Sequence, residues 1–252
     1  MSVSAAESNW YETAFDALYL TLYAHRNRED ARRAIEFIER EIAPRPEWTA
    51  LDLCCGAGRH LAELSRLGCA IVGLDLSRPL LGAAASHLRE DGLPRRLVQA
   101  SMDAFPFRAA AFDLIVNLFT SFGYFANDER NAAVIAQAGR ALKPGGRLLI
   151  DFMNAPWVRA SLTPRSETIT PTQLRVETRR SIEGSPPRVV KRMRVTGRRE
   201  EREIVESVRL FERAELEAMM RGAGLSVEGA WGDFDGRAYG EMAPRCVLVG
   251  RK

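Results

Sequence analysis

No apolar run of about 18 residues occurs anywhere in this 252-residue sequence, so no segment reads as a membrane-spanning helix. The first residues carry acids at Glu7 and Glu12, not the basic stretch and apolar block of a secretion signal. A cytoplasmic setting is expected. Cysteine is scarce, limited to Cys54, Cys55, Cys69 and Cys246. Two are adjacent, and no spacing suits a metal knuckle or a disulfide framework, which fits a reducing compartment. His25, His60 and His87 are the only histidines, scattered too widely to assemble a zinc site, and no metal is expected. Also absent are a nucleophile elbow, a paired-carboxylate signature, an internal repeat and a low-complexity tract.

What is present is the composition of a soluble globular protein, 46% hydrophobic and 27% charged. The length allows one large core, or one core with a modest appendage. The net charge of +3 hides an asymmetry. From Trp157 to Leu210 there are 13 Lys or Arg against 7 Asp or Glu, an excess of six, which leaves the rest of the chain at −3. Such a segment could attract a nucleic acid or an anionic small molecule. Interspersed acids, among them Glu177, Glu183 and Glu203, make nucleic acid the weaker reading.

The most informative stretch is Leu51-Asp-Leu-Cys-Cys-Gly-Ala-Gly-Arg-His60. Thr49 to Leu53 reads as a buried strand, a glycine turn follows, and a helix begins near Arg59 with Leu61, Ala62, Leu64 and Leu67 on its apolar face. Strand, turn and helix N-terminus together let a ligand approach bare backbone. Ile71-Val-Gly-Leu-Asp75 is a second apolar strand, ending in an acid 17 residues after Gly58. A carboxylate there is placed to accept hydrogen bonds from a ribose diol.

Helix and strand signals then alternate. Residues 9–23 form an aromatic helical stripe, with Tyr11, Tyr19 and Tyr23 on one side, expected to close over a ligand. A second helix spans about Arg28 to Ile42 and stops at Pro44 and Pro46. After Asp75 come a helix from Arg78 to Glu90, a short strand at Leu97 to Ala100, a loop from Ser101 to Phe107, and a strand from Phe112 to Leu118. A helix from Asn127 to Leu142 ends at Lys143-Pro-Gly-Gly146, and Arg147 to Phe152 is the fifth strand. Near-continuous apolar strands at this rhythm predict an α/β, doubly wound, mostly parallel sheet. From Gln173 to Phe211 the period shortens to two, predicting two or three antiparallel strands separated at Gly184 to Pro187 and at Gly197-Arg198. A helix from Arg213 to Arg221 and strands at Leu225 to Trp231 and Cys246 to Gly250 finish the chain. The expected organisation is a helical cover (1–45), a cofactor-binding core (46–154), an antiparallel β insertion (155–210), and the closing part of the core sheet (211–252).

The chain resembles the class I S-adenosylmethionine-dependent methyltransferases. The resemblance rests on the Leu51–His60 turn, Asp75-Leu76-Ser77, the Met102 loop ending at Pro106-Phe107, Phe112-Asp113, and Leu142-Lys-Pro-Gly-Gly146. The Tyr11, Phe15, Tyr19 and Leu22-Tyr-Ala-His-Arg26 stretch is similar to the small-molecule, N-methylating branch. The resemblance implies a seven-stranded sheet with an antiparallel last strand. It also implies that Gly56 and Gly58, with backbone near Cys55 and Ala57, hold the methionine end of S-adenosylmethionine. Asp75 would hold the ribose, Leu76 and Met102 the adenine, and Asn117 and Leu118 would lie near the sulfonium. Asp52 and His60 are expected on the cofactor side. Cys54 stands where the family usually has a glycine, and Ser101 where it often has an acid, a place Asp103 could take. A dinucleotide enzyme fits less well, because Leu61 occupies the position of its third glycine.

Methyl transfer is an in-line displacement that demands alignment and exclusion of water more than a covalent partner. Pocket candidates are Tyr11, Tyr19, Tyr23, Tyr124, Asn154, Arg209 and Arg245. The expected acceptor is a small polar or anionic molecule, and the β insertion serves as a lid or a homodimer platform. RNA or protein methylation, and non-catalytic nucleotide binding, remain as alternatives.

Overall fold

The computed structural model describes residues 9–24, 28–197 and 201–252. Residues 1–8, His25, Arg26 and the Arg198 end of the second turn lie outside them. The first five strands expected from the sequence form β1 (Thr49–Leu53), β2 (Ala70–Asp75), β3 (Leu97–Gln99), β4 (Phe112–Asn117) and β5 (Leu142–Met153). Alternate residues face opposite sides, and both sides are covered. Leu51, Leu53, Ile115, Leu148 and Ile150 join one apolar cluster, while Ala50, Leu114, Val116 and Leu149 join the other. This is why each strand is a near-continuous apolar run.

The sheet order is β10-β11-β5-β4-β1-β2-β3, with β10 at Ser226–Trp231 and β11 at Arg245–Arg251. All pairings from β3 to β5 are parallel, and β11 runs antiparallel to both β5 and β10. The expected seven-stranded, doubly wound sheet is what forms. The N-terminal helix α3 (Arg28–Ile42) packs on the crossover helix α4 (Arg59–Ser65), and α5 (Arg78–Glu90) follows β2. On the other face α6 (Asp128–Ala141) packs on α8 (Arg213–Gly222). The chain leaves β1 toward β2 on one side while β4 lies on the other, which opens a crevice at the carboxyl ends of β1 and β4.

Three expectations need correction. The aromatic stripe is two short helices, α1 (Tyr11–Ala14) and α2 (Ala17–Leu22), not one. Asp16 breaks it, because its carboxylate accepts the Leu18 N–H (2.9 Å) as an N-cap and pairs with Arg202. The insertion holds four strands: β6 (Arg165–Ile169), β7 (Arg175–Glu183), β8 (Arg188–Thr196) and β9 (Glu201–Arg209), after a helix α7 (Ala155–Ser161). β6 escaped the reading because an exposed edge strand imposes little apolar alternation on its sequence. Finally, β5 starts at Leu142, which pairs with Phe112 before a register shift. α1 rests on β9 and α2 on α5, so the two short helices span the space between the insertion and the core.

Candidate active site

The bend after β1 is built from left-handed backbone. Cys54, Gly56 and Gly58 have φ of 65°, 55° and 81°. At Gly58 a side chain is excluded twice, by that conformation and by Ala84, whose Cβ would sit 2.9 Å from an added Cβ. Cys54 adopts a conformation that costs an L-residue about 1–2 kcal/mol. The family's glycine is thus replaced while the shape of the bend is kept. Asp75, at the tip of β2, locks it: Oδ2 accepts the Gly56 N–H and Oδ1 the Ser77 N–H, both at 2.8 Å. Burial raises the Asp75 pKa, and these N–H groups oppose the rise.

Above this bend lies a cavity of about 730 Å³, a size suited to a small-molecule site. Its roof is aromatic. Trp10 and Phe15 lie against Tyr124 at 4.8 and 5.7 Å between ring centroids, Phe15 against Tyr19 at 5.1 Å, and Tyr19 against Tyr23 at 4.4 Å. One wall comes from the insertion, through Arg180, Val189, Lys191, Glu206 and Val208. The segment after β4 supplies another. Phe119 and Thr120 are left-handed (φ 61° and 59°), strained for such residues and held by Asp151, whose Oδ2 accepts the Phe119 N–H (2.8 Å) and whose carbonyl accepts the Thr120 N–H (3.0 Å). Asp151 is buried and pairs with Arg245 at 2.8 Å. The sequence signal for this support is an acid near the end of the fifth strand, directly after the apolar run Leu148-Leu-Ile150.

Of the residues expected to meet the acceptor, Tyr11, Tyr19, Tyr23, Tyr124 and Arg245 line the cavity. Asn154 and Arg209 do not. Asn154 is buried, with Nδ2 donating to the carbonyls of Gly240, Glu241 and Ala243 and Oδ1 accepting from Tyr239. Arg209 is buried between Asp128 and Glu215 and donates to the Leu210 carbonyl. Both fasten loops. Asn154→Ala therefore should cost about 2 kcal/mol of stability, from stranding the buried Ala243 carbonyl, and leave the affinity for S-adenosylhomocysteine unchanged; paired denaturation and titration check it.

Of the residues expected to hold the cofactor, Cys55, Gly56, Ala57, His60, Asp75, Leu76, Ser101, Met102 and Leu118 line the cavity. Leu76 is an exposed apolar side chain at its edge. Asp52, Gly58, Asp103 and Asn117 are absent from the lining. Gly58 faces Ala84. Asp103 is spent on Arg130 (2.7 Å) and Ser101. Asn117 donates to the Leu53 and Ser121 carbonyls at 3.1 Å each, tying β4 to β1. Asp52 is buried beneath the bend, where desolvation and the neighbouring Asp75 push its pKa up to about 7 against an opposing pull from Arg59. His60 is buried, and burial with Arg59 and Arg245 nearby lowers its pKa well below the usual value, so it is a neutral imidazole at pH 7. Sequence reasoning missed the row of insertion residues and Trp10, because nothing local marks which face of an antiparallel strand will meet a distant crevice.

The fold is that of S-adenosylmethionine-dependent methyltransferases of known structure. Residues 50–146 match a family model described as a methyltransferase domain. Over 90% of this chain and 96% of the relative, the sequence is 29% identical to the dTDP-3-amino-3,4,6-trideoxy-alpha-D-glucopyranose N,N-dimethyltransferase of Streptomyces venezuelae. It is 35% identical to the ubiquinone biosynthesis O-methyltransferase of Nitrosococcus oceani, but that match spans only 41% of this chain and 43% of the relative. Among solved structures, a methyltransferase of Streptomyces caelestis superposes with a TM-score of 0.78 at 18% identity, covering 97% of this chain and 98% of that one. The S-adenosylmethionine-bound amino pentose methyltransferase of Micromonospora echinaspora gives 0.70 at 24%, covering 93% and 96%. No helix among the described residues is long and apolar enough to cross a membrane.

Proposed function

We propose that this chain moves the methyl group of S-adenosylmethionine to an amine of a small polar molecule held under the aromatic roof. The observation that carries the reading is one cavity with two unlike halves: a bend with its carboxylate at one side, and an aromatic and polar wall from α1, α2 and the insertion at the other. The first half fits the cofactor. Each Asp75 oxygen uses one acceptor position on a backbone N–H and keeps another for a ribose hydroxyl. Leu76 and Met102 offer apolar surface to a purine, and the left-handed bend opens backbone to an amino-acid tail. When bound, the cofactor supplies an electrophilic methyl carbon.

The chain's own contribution is to enclose the acceptor, exclude water and orient the nitrogen lone pair. An amine need only arrive neutral, so a strong base is not required of this wall. The relative matched along nearly its whole length is named for N,N-dimethylation of an amino sugar, which favours an amine acceptor. The nucleic-acid alternative loses support on the outward face of the insertion. There Arg175 pairs with Glu167 and Glu177, Arg192 with Glu183, and Arg194 with Glu201, so acids interrupt the basic residues a phosphate backbone would follow.

Calorimetric titration should show one molecule of S-adenosylhomocysteine bound per chain, and methyl-labelled S-adenosylmethionine given to a metabolite pool should leave the label on a nitrogen. A chain that ignores S-adenosylhomocysteine and binds NAD would sink the reading.

A further inference from the structure

The register of the insertion places three charged residues in one row across its inner face. Arg180 is directly opposite Lys191, and Lys191 is directly opposite Glu206. All three line the cavity. The row lies between two largely apolar rows, Thr178, Met193 and Ile204 on one side and Ile182, Val189 and Val208 on the other. A polar strip framed in this way is not demanded by packing, since apolar residues would complete the sheet at lower desolvation cost.

Two members of the row satisfy each other. Lys191 Nζ donates to the Tyr23 hydroxyl, Tyr23 donates to Glu206 Oε1 (2.6 Å), and Lys191 lies 3.5 Å from Glu206. Arg180 is different. One N–H of its Nη1 goes to Ser166 Oγ at 3.0 Å, and no carboxylate among the described residues pairs with it. Of the other arginines of β7 to β9, Arg175, Arg192, Arg194, Arg202 and Arg209 each meet an acid, Arg188 is spent on Ser207 and the carbonyls of Gly123, Tyr124 and Phe125, and Arg179 is exposed on the opposite face. Arg180 also has a second neighbour space. It borders both the main cavity and a shallower depression against α7, lined by Trp157, Leu162 and Thr163 among others. The guanidinium thus stands at the junction of the two, half-buried, with donors to spare. A planar fork of N–H groups in that condition matches a carboxylate or a phosphate.

We propose that Arg180 is the anion-recognising residue of the acceptor site, so that the acceptor carries a carboxylate or phosphate besides the amine that is methylated. This rests on reading the cavity as a methyltransferase acceptor site. The anion lies at the mouth toward α7, and the amine points inward under Tyr19 and Tyr124. The Lys191–Tyr23–Glu206 group, neutral as a whole, fills the wall between them.

The test uses three simple amines with the full chain saturated by S-adenosylhomocysteine: ethanolamine, O-phosphoethanolamine and β-alanine. Ligand-observed NMR titration should rank at least one of the two anionic probes at least about tenfold above ethanolamine. Whether the phosphate or the carboxylate ranks higher identifies the anion. Arg180→Gln should abolish the preference while ethanolamine binding, S-adenosylhomocysteine affinity and Tm stay as in the parent, and Arg180→Lys should keep part of it. Equal binding of the three probes, no binding by any of them, or a preference that survives Arg180→Gln would overturn the proposal while leaving the methyltransferase reading intact. Failure of S-adenosylhomocysteine to bind would remove both.

Discussion

Replacing Asp75 with alanine should raise the dissociation constant for S-adenosylhomocysteine by at least about 100-fold, from the loss of two charge-assisted hydrogen bonds at about 1.5–3 kcal/mol each. The loss has two sources. The carboxylate is the group proposed to receive the ribose hydroxyls, and it also accepts the Gly56 and Ser77 N–H groups that set the bend. Asp75→Asn separates them. An amide oxygen can still accept one backbone N–H, so the bend should persist and affinity should fall by about tenfold, the size expected for one charge-assisted bond weakened. Titration calorimetry at fixed pH, with Tm recorded for each variant, reads both. An unchanged dissociation constant in Asp75→Ala would remove the ribose assignment.

The second large effect concerns Asp52 and pH. Its carboxyl ionises near 3.8 in a free chain and at about 7 in the fold. Between those values the folded protein holds a proton that the unfolded chain has released. Unfolding therefore loses a proton, and stability falls as pH rises from about 4 to about 7, then levels off. The full contribution is up to about 4 kcal/mol. Asp52→Asn cannot ionise, so its stability should be flatter across that window and should overtake the parent above pH 7. Urea denaturation of both proteins at pH 5, 6, 7 and 8 gives the difference profile. Asp75 and Asp151, whose pKa values are also raised by burial, remain in both proteins and largely cancel. Parallel profiles would show that Asp52 is not the titrating group.

The bend proposed to hold the cofactor was legible because it is local. Cys54 to Gly58 make a bend by their own backbone preferences, and Asp75 closes the next strand, so spacing alone brings them together. The acceptor half was legible only in part. Tyr11, Tyr19, Tyr23, Tyr124 and Arg245 reach the cavity as expected, but Asn154 and Arg209 turned out to fasten loops. An asparagine after a strand and an arginine beside one look alike in sequence whether they face a ligand or a set of orphan carbonyls. The basic bias of residues 157–210 was equally ambiguous until the register set Arg175, Arg192 and Arg194 beside acids on the outward face.

The sequence by itself determined the doubly wound sheet, its buried faces and the left-handed bend after β1, because strand periodicity, left-handed turns and strand-end acids act over a few residues. The tertiary structure alone decided which side of the four-stranded insertion faces the cavity. A shift of one residue in β7, β8 or β9 would turn Arg180, Lys191 and Glu206 outward, and the pairing that prevents it is made between segments distant in the chain.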